Sequence, residues 1–143
     1  MYQPLRKYAL ILSIISVLCV GAFLRLYRIA DYLTFLGDEG RDVLVVKRMI
    51  VDGDIVFLGP TASVGGFFLG PMYYYFMAPF LYIFNLDPVG PAVMVALFGV
   101  ATILLVYYVG SKMFHPAVGL IASLLYALSP VVIAYSRSSW NPN

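Results

Sequence analysis

The chain has little charge and almost no soft-ligand chemistry: of 143 residues only 11% are charged, and there is one cysteine, one histidine and one tryptophan. A lone Cys19 inside an apolar run makes no internal disulfide and reads as small apolar filler. His115 has no Cys, His or carboxylate at metal-ligand spacing, which excludes a zinc site built around it. A net charge of +2, with no run of Lys and Arg, excludes nucleic acid as a partner. Phosphate-binding glycine loops, nucleophile elbows and zinc motifs are all missing. Internal repeats and low-complexity segments are missing too.

What is there is apolar. Hydrophobic residues make up 62%, and a mean hydropathy of +0.91 places the chain among all-α integral membrane proteins, with transmembrane helices and external juxtamembrane amphipathic helices. Three stretches are long enough to cross a bilayer, over about 8–30, 88–111 and 116–136. The first follows Arg6 and Lys7 in the manner of a signal peptide, but its apolar character continues through Ile29, so a retained helix is expected. The positive-inside rule puts Arg6, Lys7 and the turn at Lys112 in the cytoplasm. It leaves an external loop over about 31–87 and the last residues, from Arg137, on the outer side. Within the loop, Gly59-Pro60, Gly65-Gly66, Gly70-Pro71 and Pro79 are expected to interrupt regular helix. Residues 70–86 read as a juxtamembrane or re-entrant helix, with a full span as the alternative.

The charges that exist are concentrated. Gly37-Asp38-Glu39-Gly40-Arg41-Asp42 is followed by Lys47, Arg48, Asp52 and Asp54, and ionisable groups beside a bilayer need water, a partner or a charged ligand. Residues 41–51 read as a short amphipathic helix, with Val43, Val46 and Ile50 on one face. Asp38 and Glu39 sit where a carboxylate reaches water just above the membrane, which suits a general base toward an acceptor hydroxyl. The bland alternative is that Asp38 caps the helix, with both acids placed favourably at its positive end. Arg41, Lys47 and Arg48 fall on the outer side, against the usual bias, and suit a phosphate. Arg25 and Arg28 read instead as snorkelling to lipid headgroups. Tyr73, Tyr74 and Tyr75 are consecutive, so at least one ring must leave a lipid face, unless all three belong to an interfacial aromatic belt.

These motifs, with Asp52-Gly53-Asp54, Gly70-Pro71-Met72-Tyr73-Tyr74-Tyr75, Leu128-Ser129-Pro130 and Tyr135-Ser136-Arg137-Ser138-Ser139-Trp140-Asn141-Pro142-Asn143, come in an order that resembles the amino-terminal part of GT-C membrane glycosyltransferases. More narrowly, the chain is similar to bacterial and archaeal relatives of protein O-mannosyltransferases and lipid A aminoarabinose transferases. The resemblance implies transfer of a sugar, usually with inversion, from a polyprenyl-phosphate donor to a lipid, glycan or protein acceptor at the outer face of the cell membrane. It implies that Asp38 engages the acceptor hydroxyl with Glu39 beside it, and that a second site lies in the next external loop; the candidates for substrate contact are Arg41, Lys47, Arg48, Tyr73, Tyr74, Arg137 and Asn141. Many relatives carry an Arg-Pro-Asp type sequence where this chain has Trp140-Asn141-Pro142-Asn143. An amide there orients an acceptor or a metal ion rather than taking a proton. No cofactor follows from the resemblance, and a divalent metal ion is left open. Relatives are several times longer, so the chain is expected to be the first part of a larger module and inactive alone. The rival expectation is a small non-catalytic membrane subunit or part of a transporter. The spans at 88–111 and 116–136 hold no acid of the kind that transport would use.

Overall fold

A computed structural model describes residues 3–62 and 65–140. They form six α-helices and one 3-10 turn, with no β-strand among them: α1 (Gln3–Leu26), the turn Ile29–Tyr32, α2 (Gly37–Val51), α3 (Met72–Ile83), α4 (Val89–Met113), α5 (Pro116–Leu128) and α6 (Pro130–Tyr135). The protein is all-α, and it divides into two compact units.

The first unit takes in Met1–Tyr27 and Ala96–Ser136. Tyr8–Leu26 of α1, with 19 residues, and α4, with 25, are long and apolar enough to cross a membrane. At 1.5 Å per residue they reach about 29 and 38 Å, against a hydrocarbon core of about 30 Å. Ile14 and Val17 of α1 pack with Ile103 of α4 and Ala127 of α5. Where α4 meets α5, Gly110 faces Gly119. A Cβ on Gly119 would lie 2.5 Å from the Tyr107 carbonyl oxygen and 2.7 Å from the Ser111 amide nitrogen. Small residues let two backbones approach this closely, which is how helices associate where water supplies no drive between them.

Residues 116–136 do not form one helix. Pro130 clashes with a helical residue before it, and Ser129 is accordingly extended, at φ −62° and ψ 118°. Pro130 also has no N–H to give the Tyr126 carbonyl. Arg25, fully buried, fills that role. Its Nη1 donates to the carbonyls of Ala127 and Gly21, each at 3.1 Å, and Nη2 to that of Tyr126 at 3.4 Å. Arg25 therefore does not snorkel to the headgroups. A cation at the negative end of a helix, supplied with carbonyl acceptors, is far less costly than one facing lipid. Gly99 on α4 leaves it space, since a Cβ there would come within 2.9 Å of Arg25 Nε.

The second unit comprises Arg28–Val95 and Arg137–Asn143. It begins at Arg28, whose left-handed backbone, φ 52°, follows the end of α1 at Leu26. The Arg28 guanidinium pairs with Asp31 at 2.5 Å. In its core, Val43 and Val46 of α2 meet Tyr74, Met77 and Leu81 of α3 and Met94 of α4. Helix α3 runs through Pro79 instead of breaking there. Pro79 lies on the exposed side, so the missing N–H is lost from the face opposite Tyr74, Met77 and Leu81, whose burial holds the helix. With 12 residues, α3 extends about 18 Å and is too short to span a bilayer. It ends in a Schellman motif: Asn85 is left-handed at φ 55°, Asn85 N–H donates to the Tyr82 carbonyl, and Leu86 N–H to that of Leu81. Asp87 Oδ1 then accepts from Val89 N–H at 2.8 Å and starts α4.

Between α2 and α3 the chain makes a narrow ribbon. Gly59 N–H donates to the Leu69 carbonyl at 3.0 Å, Leu69 N–H to that of Pro60 at 2.9 Å, and Ala62 N–H to that of Phe67 at 2.8 Å. A Cβ on Gly59 would meet the Gly70 carbonyl oxygen at 2.4 Å, so this neck requires glycine.

Replacing Gly119 with Val should lower stability by about 2 kcal/mol, because the added atoms meet backbone that cannot step aside. Gly37→Ala, where nothing lies within 4 Å, should not. Thermal unfolding of the two variants in detergent checks the difference.

Candidate functional site

The charged island runs along α2 and just past its end, with Asp38 and Glu39 in the first turn and Arg48 in the last. The helix starts at Gly37, four residues before the sequence-based start at Arg41, because Glu39 supplies a cap. Its Oε2 accepts from the Leu36 N–H at 2.8 Å, meeting one of the donors that every helix N-terminus leaves without an internal partner. The acid anticipated as a cap is thus Glu39, not Asp38. Its other oxygen, Oε1, accepts from the Ser138 hydroxyl at 2.5 Å and the Ser139 hydroxyl at 3.4 Å. Glu39 is only 1% exposed, so both oxygens are committed inside the protein.

A helix turns about 100° per residue, so the neighbouring acid faces elsewhere. The Asp38 side chain is 47% exposed, and its Oδ1 accepts from Arg41 Nη1 at 3.1 Å. Arg41 Nε donates to Asp42 Oδ1, also at 3.1 Å. Asp42 is buried, and the same Oδ1 takes the Tyr74 hydroxyl at 3.1 Å. Asp42 Oδ2 is buried with no hydrogen-bond partner. Burial pushes the Asp42 carboxyl above the usual range, and the bonds from Arg41 and Tyr74 pull it partly back. Tyr74 is pushed up to about 12, by burial first and then by the Asp42 charge. Burial also raises the Tyr73 hydroxyl, with Asp42 and Glu39 adding to it. Tyr73 donates to the Ser139 carbonyl. The two adjacent tyrosines therefore reach two different partners, while Tyr75 donates to the Val56 carbonyl at 3.0 Å.

On the opposite side of α2 an open groove of about 490 Å³ is lined by Gly37, Gly40, Arg41, Leu44, Val45 and Arg48. Spacings of three and four residues bring Arg41, Leu44 and Arg48 into line on one helix face. Lys47 is exposed on the flank of the same face. Arg137 lies over the Tyr32 ring, 4.6 Å from its centroid, and is partly buried. Asn141 lies outside the described residues. Among the described residues no group of three or more His, Cys, Asp and Glu is placed to hold a metal ion.

The structure thus places Asp38 beside Arg41 in the first turns of α2, and aligns Arg41 with Arg48, a residue of the last turn, along one groove. It separates Glu39 from them and gives that carboxylate a structural task. Asp42, Ser138 and Ser139 were not among the sequence candidates. The spacing of Asp42 from Asp38, one helical turn with Arg41 between, was the available signal for Asp42. Nothing local to α2 signals the serines, about a hundred residues away.

Residues 69–143, more than half of the chain, match the family described as dolichyl-phosphate-mannose-protein mannosyltransferase. The chain belongs to that family. No curated protein and no solved structure matches it. Membership makes this mannosyltransferase-family chain a membrane glycosyltransferase of GT-C type, consistent with the two helices long and apolar enough to span. Tyr73, Tyr74, Arg137 and Asn141 fall inside the matched stretch, and the island from Gly37 to Arg48 precedes it.

Removing the carboxylate in Glu39→Ala strands the Leu36 N–H and two seryl hydroxyls, at about 2–3 kcal/mol. Hydrogen exchange at the Leu36 amide should speed up by roughly a hundredfold, with Asp38→Ala leaving it unchanged. Tyr74 supplies a pH signature. Its folded hydroxyl keeps its proton to about 12, beyond the ordinary value near 10. This raised group stabilises the fold below pH ~10 and loses that contribution as pH rises through 12. Tyr74→Phe should remove the step near 12 from the tyrosinate absorbance titration.

Proposed function

We propose that this chain carries the acceptor-activating end of a glycosyl transfer from a polyprenyl-phosphate-linked sugar. The acceptor is a hydroxyl on a lipid, glycan or protein at the outer face of the cell membrane. The observation that carries this reading is the arrangement at the head of α2: a half-exposed carboxylate, Asp38, beside an arginine that opens onto a groove also lined by Arg48. Transfer between a hydroxyl and a sugar phosphate needs those two services, a proton acceptor and a clamp for the departing phosphate.

In this reading the acceptor hydroxyl gives its proton to Asp38, and its oxygen bonds to the anomeric carbon from the face opposite the phosphate. The bond from that carbon to the phosphate oxygen breaks, and its electron pair leaves with the phosphate. Arg41, Arg48 and Lys47 hold the phosphate, with the prenyl chain lying along Leu44 and Val45. The family description and the exposed aliphatic side chains of Leu36, Leu44 and Val51 support a donor that arrives from lipid. Glu39 acts by fixing the helix that presents Asp38. Tyr73, Tyr74 and Arg137 act through the segments they tie, and the Asn141 amide orients the acceptor. The orientation with α2 outside rests on the positive charges at Arg6, Lys7 and Lys112.

Asp38→Asn should lower sugar transfer by about two orders of magnitude or more, the usual value of a positioned general base, with unchanged protein levels in the membrane. Transfer of radiolabelled sugar from the prenyl donor, measured in membranes that hold the full-length enzyme, checks it. Wild-type rates in the variant would sink the assignment.

A further inference from the structure

Arg41 is held unequally at its two ends. Nε donates to Asp42, a carboxylate 1% exposed that also takes the Tyr74 hydroxyl. Nη1 donates to Asp38, whose side chain is 47% exposed. An ion pair open to water shifts an equilibrium by less than about fivefold, whereas separating a buried one leaves a charge with nothing to offset it. The inner bond is therefore the fixed one, and the outer bond is exchangeable. Arg41 also lines the groove, so a ligand there meets the outer end of the guanidinium first.

We propose that Asp42 and Tyr74 are positioning residues that pin Arg41 at Nε, so that a phosphate in the groove and the Asp38 carboxylate compete for Nη1. The proposal rests on the donor and base roles assigned above. It adds an order to them. With the groove empty, Asp38 Oδ1 is covered by Arg41. When the phosphate takes Nη1, the guanidinium turns about its fixed Nε bond and Oδ1 is released to the acceptor hydroxyl. Phosphate oxygens suit this exchange, since the planar fork matches them as well as it matches a carboxylate. Oδ1, the oxygen beside the groove-lining arginine, is thus uncovered only when there is a sugar donor to react with.

The test is binding of undecaprenyl phosphate to the protein in nanodiscs of zwitterionic lipid, which does not require transfer. Asp38→Asn, lacking the competing charge, should bind the phosphate about two- to fivefold more tightly than wild type. Arg41→Gln should bind it at least tenfold more weakly, and Tyr74→Phe about threefold more weakly with unchanged helicity. Unchanged or weaker binding in Asp38→Asn, alongside a loss in Arg41→Gln, overturns the competition and leaves the phosphate contact standing. No loss in Arg41→Gln overturns the contact itself and the competition with it. As a measurement free of substitution, nitrogen NMR of Arg41 in the wild-type protein should show Nη1 moving on phosphate addition while Nε keeps its hydrogen-bonded shift. Movement at both nitrogens would overturn the pivot.

Discussion

A single buried carboxylate organises the unit that carries the charged island. Glu39 closes the first turn of α2 through the Leu36 N–H and holds the Ser138 and Ser139 hydroxyls with its other oxygen. A buried acid is tolerated only when its oxygens are met by donors, and here that requirement makes two parts of the chain about a hundred residues apart mutually dependent. Once α2 is started and rotated by this contact, the positions of its neighbours follow from helical geometry. Asp38 turns outward, Asp42 turns in toward Tyr74, and Arg41 lies between them. The chemistry attributed to the exposed acid thus depends on the burial of the one beside it.

The other unit solves a similar problem with the opposite charge. A proline ends α5 early and leaves carbonyls where lipid or apolar side chains can offer nothing. Arg25 reaches them from α1, in space that Gly99 leaves free. In both units a buried charge completes a helix terminus, Arg25 from about a hundred residues away and Glu39 from three, with distant serines on its other oxygen. Each of those side chains is a charge that a hydropathy reading assigns to water or to headgroups.

That contrast defines what was legible in the sequence. The apolar runs announced α1 and α4, and the spacing of Val43, Val46 and Ile50 announced the buried face of α2, because both are properties of local periodicity. The consecutive tyrosines required different directions, and Tyr73, Tyr74 and Tyr75 do take three different acceptors. What local patterns did not carry was any feature whose cause lies elsewhere in the chain. The burial of Glu39 depends on Ser138 and Ser139, the continuity of α3 through Pro79 depends on packing against α2, and the burial of Arg25 depends on the end of α5. The two adjacent acids looked equivalent in one dimension, and only the helix phase separated them into a buried tie and an exposed carboxylate.

The ribbon from Gly59 to Gly70 has a different kind of consequence. Its base is stitched by backbone hydrogen bonds, with a glycine at each edge of the neck. Lengthening a loop beyond a closed neck costs little, about 0.6 kcal/mol for each doubling. Residues inserted beyond the neck therefore leave the register of α2 against α3 the same. The neck separates a segment open to evolutionary drift from the helices whose positions the carboxylates require.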